Sequence, residues 1–379
     1  MNIFAAALTL LALGFFLMEP DLILASTIQA LDTWVASVLP ALLPFFILNN
    51  LCFSYGGIDL FGAFLQPITR KLFNLPGETA FVIATGYSTG APVSSTVISE
   101  LRKSCRISRT TGNILLPCTS NVSPLFIFSV VAASFLNSPE LGIYLAAIHY
   151  GTNLLLGAII LVIMRPKEKP ANTGIRQELI KLSQRDTTSL GQALSEAIAA
   201  GIKTIVLIGG LLIVFFIFLA VIHVTALDSI IAWLLQPLGI EPEVTVCLIQ
   251  GITEITAGAK CTAVTELPIN IKFSVISFIL AWGGISAICQ IATQIKDTDL
   301  SLKFYFIYKV TQASLAYCLS GYVPLSCQTD TFSSEFFITI LPDPKTWSAI
   351  WLPIAVVAGG IILRHPLRRI LRRERSSCR

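Results

Sequence analysis

Long apolar stretches separated by short charged loops constrain this fold more than any other feature of the sequence. Stretches long enough to span a membrane run at about 2 to 18, 35 to 54, 110 to 136, 141 to 164, 201 to 224, 270 to 295, 304 to 322 and 346 to 364. A hydrocarbon core of roughly 30 Å needs about 20 mostly apolar residues as a helix. The eight stretches therefore predict an all-α polytopic membrane protein. Composition agrees, with 54% of the 379 residues hydrophobic, 13% charged and a mean hydropathy of +0.76. The base sits beside the apolar stretches, so no nucleic-acid partner is expected and membrane lipid is.

Lys and Arg mark the cytoplasmic side of short loops. Arg70, Lys71, Arg102, Lys103, Arg106 and Arg109 form one basic region, Arg165 to Arg185 a second, and the tail RHPLRRILRRER a third. Residues 225–270 carry Asp228, Glu241, Glu243, Glu254 and Glu266 against Lys260, which predicts the outside face. Both termini then lie in the cytoplasm of a multi-pass cell-membrane protein. The nine cysteines show no metal-binding spacing, and most lie within apolar runs. Neither a metal site nor a disulfide framework is expected, with a Cys261–Cys327 bridge left open as the one external pairing.

The chain repeats itself. PFFIL at Pro44 recurs as VFFIF at Val214, and LQP at Leu65 recurs as LQP at Leu235, both at an offset of 170. NLPGETAFVIATGYSTGAP answers to GIEPEVTVCLIQGITEITAG, and TSNVSPLFIF to GGISAICQIA. Three crossings between equivalent points invert the second copy. The expected organisation is an N-terminal helix and interfacial lead-in at 1–33 and a first repeat at 34–164 with a re-entrant hairpin at about 76–105. A cytoplasmic loop and amphipathic helix follow at 165–200, then a second, inverted repeat at 201–322 with its hairpin at about 241–267. Residues 323–379 give an external loop, a last transmembrane helix and a basic cytoplasmic tail. Inverted repeats with broken helices are an architecture of secondary transporters, whose sites lie at the midplane between the copies.

Candidate site residues follow from the polar breaks. GYSTGAPVSS reads as the tip of a re-entrant hairpin, with Ser88, Thr89, Ser94 and Ser95 at membrane depth, Gly86 and Gly90 permitting the turn, and Pro92 starting the returning helix. That helix would aim its N-terminal amides into the membrane. In LLPCTSNVSPLFIF, Pro117 and Pro124 bracket a break that exposes carbonyls beside Asn121 and Ser123. In the second copy, Thr253, Glu254 and Thr256 occupy the tip, while Gly283 and Gly284 loosen the partner span and Ser286 and Gln290 share one helix face. Glu254 is the acid at a hairpin tip, which suits either an ion or proton path or a watery lip. No cofactor is expected beyond a coupling proton or sodium ion. His149 is read as a hydrogen-bonded packing residue beside Asn153 rather than a proton relay, and no catalytic set is present, so no enzyme is expected.

Together NLPGETAF, GYSTGAP, TSNVSPLFIF, SPELGIYLAAIHYGTNLL, GITEITAG and AWGGISAICQIATQIKDTDLSLKFYFIYKV resemble the sporulation integral membrane protein YlbJ family, which is built on the nucleoside-recognition, or Gate, domain. The resemblance runs from about Trp34 to Tyr322. It implies a role in the mother-cell or forespore membrane, and a fold similar to the concentrative nucleoside transporter core with its paired hairpins. Those transporters carry a Gln-Thr-Glu element in the first hairpin, where this chain has Tyr87, Ser88 and Thr89. The expected function is transport of a small polar or amphipathic solute, by a protein compatible with homo-oligomerisation. The alternative is a membrane scaffold or assembly factor for the spore envelope.

Overall fold

The structure, a computed structural model, describes residues 2–57, 60, 61, 64, 65, 69, 75–166 and 189–323. The expected last span, the basic tail, Cys327, Arg70, Lys71 and the loop 167–188 lie outside the described residues. Every described element is helical. Three helical stretches, Leu141–Met164, Leu190–Val224 and Ile269–Ile295, are long and apolar enough to cross a membrane, and the rest of the membrane-depth chain is built from shorter pieces.

After α1 (Asn2–Met18), helix α2 (Pro20–Thr33) continues through a π-helical turn (Trp34–Val38) into α3 (Leu39–Ser54). Adding 170 to residues 20 and 54 gives 190 and 224, the bounds of α8 (Leu190–Val224). The expected division of this segment at residue 200 is not found. Ser189 caps the helix by accepting the Gln192 amide at 3.3 Å, and no proline interrupts the 35 residues that follow.

The two equivalent runs pack antiparallel. Trp34 Nε1 donates to the Ile205 carbonyl at 3.1 Å and its ring fills the space at Gly209, while Leu43, Phe46 and Ile47 lie against Gly201. Trp34 plus 170 is 204, so the runs cross within one residue of equivalent positions. On α8, Ile205, Ile208, Gly209 and Leu212 form the buried stripe, while Val206, Leu207 and Val214 remain exposed on its outer face.

Each repeat then supplies a helical hairpin, a broken span and a last helix. In the first these are α4 (Glu78–Ser88) with α5 (Ala91–Lys103), α6 (Arg109–Thr119) with the π-helix Phe126–Phe135, and α7 (Leu141–Met164). The second opens with α9 (Leu227–Leu235), then α10 (Pro242–Thr253) with α11 (Ile255–Val264), α12 (Ile269–Trp282) with α13 (Gly284–Ile295), and α14 (Leu302–Ser320). The hairpin arms have 11, 13, 12 and 10 residues. At about 1.5 Å per residue each reaches roughly 15–20 Å, half the depth of a bilayer.

Packing partners occur in matched pairs. Helix α5 packs on α13 as α11 packs on the π-helix, and α4 lies on α6 as α10 lies on α12. Two buried apolar clusters result. Val97, Ile98, Leu115, Leu116, Ile291 and Tyr305 join α5, α6, α13 and α14, while Ile127, Leu145, Ala259, Phe273 and Ile276 join the π-helix, α7, α11 and α12.

Candidate binding site at the helix breaks

The first hairpin turns at Gly90, whose φ of 93° and ψ of −167° suit glycine alone. A Cβ there would lie 2.7 Å from the Asn121 carbonyl oxygen. The hairpin tip therefore sits directly on the break in the next span. The Ala91 amide donates to the Asn121 carbonyl at 3.1 Å, and Ser94 Oγ donates to the Thr119 carbonyl at 3.1 Å. The first amide of the returning helix is thus spent on a carbonyl of the break.

The break itself starts later than Pro117 suggests. Helix α6 contains Pro117 and ends at Thr119, where the hydroxyls of Thr119 and Ser120 donate back to the carbonyls of Leu115 and Leu116 at 2.9 and 2.5 Å. Beyond it the Val122 amide donates to His149 Nε2 at 3.2 Å, and the Val122 carbonyl accepts from the Tyr150 hydroxyl at 2.8 Å. His149 is a packing residue as expected, but its partner is this freed amide and not Asn153. Accepting at Nε2 leaves the ring proton on Nδ1, which has no partner among the described residues. Asn121 is buried, and its Oδ1 has no partner among them either.

The second tip is built on an acid. Glu254 caps α11, with Oε2 accepting the Ala257 amide at 2.8 Å and Oε1 accepting from Thr256 Oγ1 at 3.2 Å. Its carboxyl group faces the positive end of that helix. Gly283 (φ 88°) and Gly284 (φ 83°) break the partner span, and a Cβ on Gly284 would lie 3.3–3.4 Å from Thr253 and Glu254 backbone. Trp282 Nε1 donates to the Ile252 carbonyl at 2.9 Å, fixing the break to the tip. Each hairpin tip thus rests on its own repeat's break.

The arms of the second hairpin are held closely. Gly258 packs on the backbone of Gly251, and Cys247 and Cys261 form a disulfide with a Cα–Cα distance of 5.4 Å. This corrects the expectation of no disulfide and of Cys261 pairing, if at all, with Cys327. Both cysteines stand seven residues from Glu254, so antiparallel arms bring them opposite each other. Equal spacing about a predicted tip was the signal available in the sequence.

The predicted residues fall into two groups. Thr89, Ser94, Asn121 and Ser123 surround the first break, and Thr253, Glu254, Thr256 and Ser286 the second. Ser88 is exposed, and Ser88 and Ser95 bond within their own helices. Gln290 is buried on α13. No hydrogen bond between described residues joins the groups.

A third set was not anticipated. Lys309, 1% exposed at the middle of α14, donates from Nζ to Gln312 Oε1 at 2.9 Å. The same oxygen accepts from Asn153 Nδ2 at 3.3 Å, which also donates to the Pro117 carbonyl at 3.3 Å, and Gln312 Nε2 donates to the His149 carbonyl at 3.2 Å. The Tyr87 hydroxyl donates to Asn153 Oδ1 at 3.1 Å, and the Tyr308 hydroxyl to the Asn153 carbonyl at 2.8 Å. A continuous polar network thus links the first hairpin, the first break, α7 and α14 around one buried lysine. Among the described residues no carboxylate pairs with it. The legible signal was a lone Lys inside the apolar stretch at 304 to 322.

This geometry defines a helical, multi-pass membrane protein with paired hairpins and broken spans, and residues 35–165 match the Gate (nucleoside recognition) family. The chain is 30% identical over 329 residues to the sporulation integral membrane protein YlbJ of Bacillus subtilis (strain 168), a match covering 81% of each chain. It belongs to that family of integral membrane proteins. No solved structure matches it.

Proposed function

We propose that the protein is a secondary transporter that moves a small polar or amphipathic solute bearing an acidic group. Its site lies at midplane depth between two re-entrant hairpins and two broken spans of an inverted repeat. Half-membrane hairpin arms, antiparallel packing of equivalent helices and matched packing pairs support that architecture. The observation that carries the solute class is Lys309. A cation buried at membrane depth is costly and persists where a partner or a function compensates it. Lys309 has Gln312 and no acid among the described residues, and two further buried atoms, Asn121 Oδ1 and His149 Nδ1, have no partner among them. An anionic group would complete its hydrogen bonding, while Glu254 supplies a second charge for a coupling proton or sodium ion. The relative's name supports a setting in the membranes of a sporulating cell.

The test is retention by proteoliposomes from a mixed pool of small acids, amines and neutral polar solutes, measured across pH by mass spectrometry. Uptake of acids alone is expected. Uptake of amines or neutral solutes alone would overturn the acidic class, and uptake of nothing at any pH would favour an assembly role. Cysteines placed at Ser104 and Glu266 should react with an impermeant thiol reagent from the cytoplasm and from outside respectively. Reaction of both from one side would overturn the inversion.

A further inference from the structure

The two repeats match in backbone but not in how their corners are fastened. After α13 the loop 296–301 returns over the corner between α5 and α6. Asp299 receives two hydrogen bonds from Arg102, from Nε at 2.7 Å and from Nη2 at 2.8 Å, while Asp297 lies 3.8 Å from Lys103 Nζ. Leu300 fills the space at Gly112, and the Ser301 amide donates to Asn113 Oδ1 at 2.8 Å. Arg102 also donates to the Ile107 carbonyl at 3.1 Å, and Arg106 pairs with Glu78 at 2.9 Å, which ties both hairpin arms into the same corner. The equivalent corner lies between α11 and α12, and the equivalent loop is the one after Phe135 in the first repeat. At that corner Lys272 Nζ donates to the Ala263 carbonyl at 2.9 Å, and among its described residues there is no ion pair.

We infer that loop 296–301 is a strap that bolts the first hairpin to the second repeat and holds the protein closed on its basic, cytoplasmic face, leaving the hairpin of the opposite face as the one that moves first. The strap crosses the seam between α5 and α13, where a path from a midplane site to the cytoplasm must open if the halves rock apart. A bidentate Arg–carboxylate pair with an Arg side chain only 11% exposed is stronger and more directional than a surface pair. Leu300 adds an apolar plug that must be withdrawn with it. The inference rests on the transporter reading for its purpose, but its geometry can be tested without a solute.

The test uses the full chain in right-side-out and inverted vesicles, with Ser99→Cys on α5 as reporter, one turn inside Arg102, and the native free cysteines replaced. Impermeant maleimide on the cytoplasmic side should label Cys at this position slowly. Asp299→Asn and Arg102→Ala should each raise the rate about tenfold or more. The exchange of charges, Arg102→Asp with Asp299→Arg, should restore protection, which a merely misfolded variant would not do. Unchanged labelling in well-expressed variants would overturn the strap. Faster labelling overturns nothing here even when no solute is retained by any variant; that combination would sink the transporter reading and leave the strap standing.

Discussion

Replacing Lys309 with Met separates a functional cation from a structural one. Its Nζ sits at the middle of α14 with one hydrogen bond among the described residues, to Gln312 at 2.9 Å. Burying an ion costs several kcal/mol even after relaxation, and a single hydrogen bond to a charged group offsets about 1.5–3 kcal/mol. Methionine fills nearly the same volume without a charge. Gln312 Oε1 keeps its bond from Asn153, so the substitution orphans no buried acceptor. Lys309→Met should therefore stabilise the fold by about 1–3 kcal/mol. The same change should remove the charge-assisted contact to the solute, for a loss of about 2–5 kcal/mol, or roughly thirtyfold and more in retention. Thermal unfolding in detergent reads the first effect and proteoliposome retention the second. A variant that melts earlier yet retains solute normally would refute the argument and make Lys309 a strut of the α7–α14 contact.

Asn121→Leu should abolish retention while preserving membrane expression, since its Oδ1 is buried at the break with no partner among the described residues; normal retention would move the site elsewhere. Glu254→Gln keeps an acceptor for the α11 amides, so expression should hold with a helix-end loss of about 0.5–1 kcal/mol, while the pH dependence of retention should disappear. A pH profile identical to the parent would reduce Glu254 to a cap. Gly90→Ala meets both a positive φ and the Asn121 carbonyl and should cost about 1–3 kcal/mol in thermal unfolding, against a negligible change for Gly151→Ala, where the space is open. Arg102 holds the Asp299 carboxyl below its ordinary value, with Arg109 adding to the effect, so the pair's contribution is complete above the ordinary carboxylate range and is lost as the pH falls through the lowered value. Protection of the Ser99→Cys reporter should thus be flat across neutral pH and fail only in strong acid; failure near neutrality would show that another group controls the strap.

What could be read in advance was whatever local chemistry decides. The offset of 170 located two helical runs of equal length, and the Gly-Pro and Gly-Gly punctuation located both tips and both breaks within a few residues. Side-chain hydrogen bonds mark the rest. Hydroxyls at Thr119 and Ser120 donate back where α6 ends beyond Pro117, and Ser189 caps α8 at Leu190. The buried network was not legible because its members are distant in sequence. Asn153 meets Gln312 across 159 residues and Tyr87 across 66, and neither pairing leaves a periodic trace.

The two halves use one backbone plan to place different charges at matching depths. His149 stands eight residues after Leu141, the start of α7, and Lys309 seven residues after Leu302, the start of α14. These last helices pack on each other, and their basic side chains stand within one residue of the same register. One is committed to the break, as His149 accepts the Val122 amide, and the other is held by a glutamine and lacks an acid among the described residues. The hairpin tips divide in the same way: the first is neutral and engages carbonyls through Ala91 and Ser94, while the second carries Glu254 and seats it on its own helix. On the proposed transporter function, a symmetric scaffold would let each half rock against the other, while a cargo would need one orientation and a coupling ion another place. The differences of Thr89 against Glu254 and His149 against Lys309 would supply that asymmetry without altering the helices that carry them.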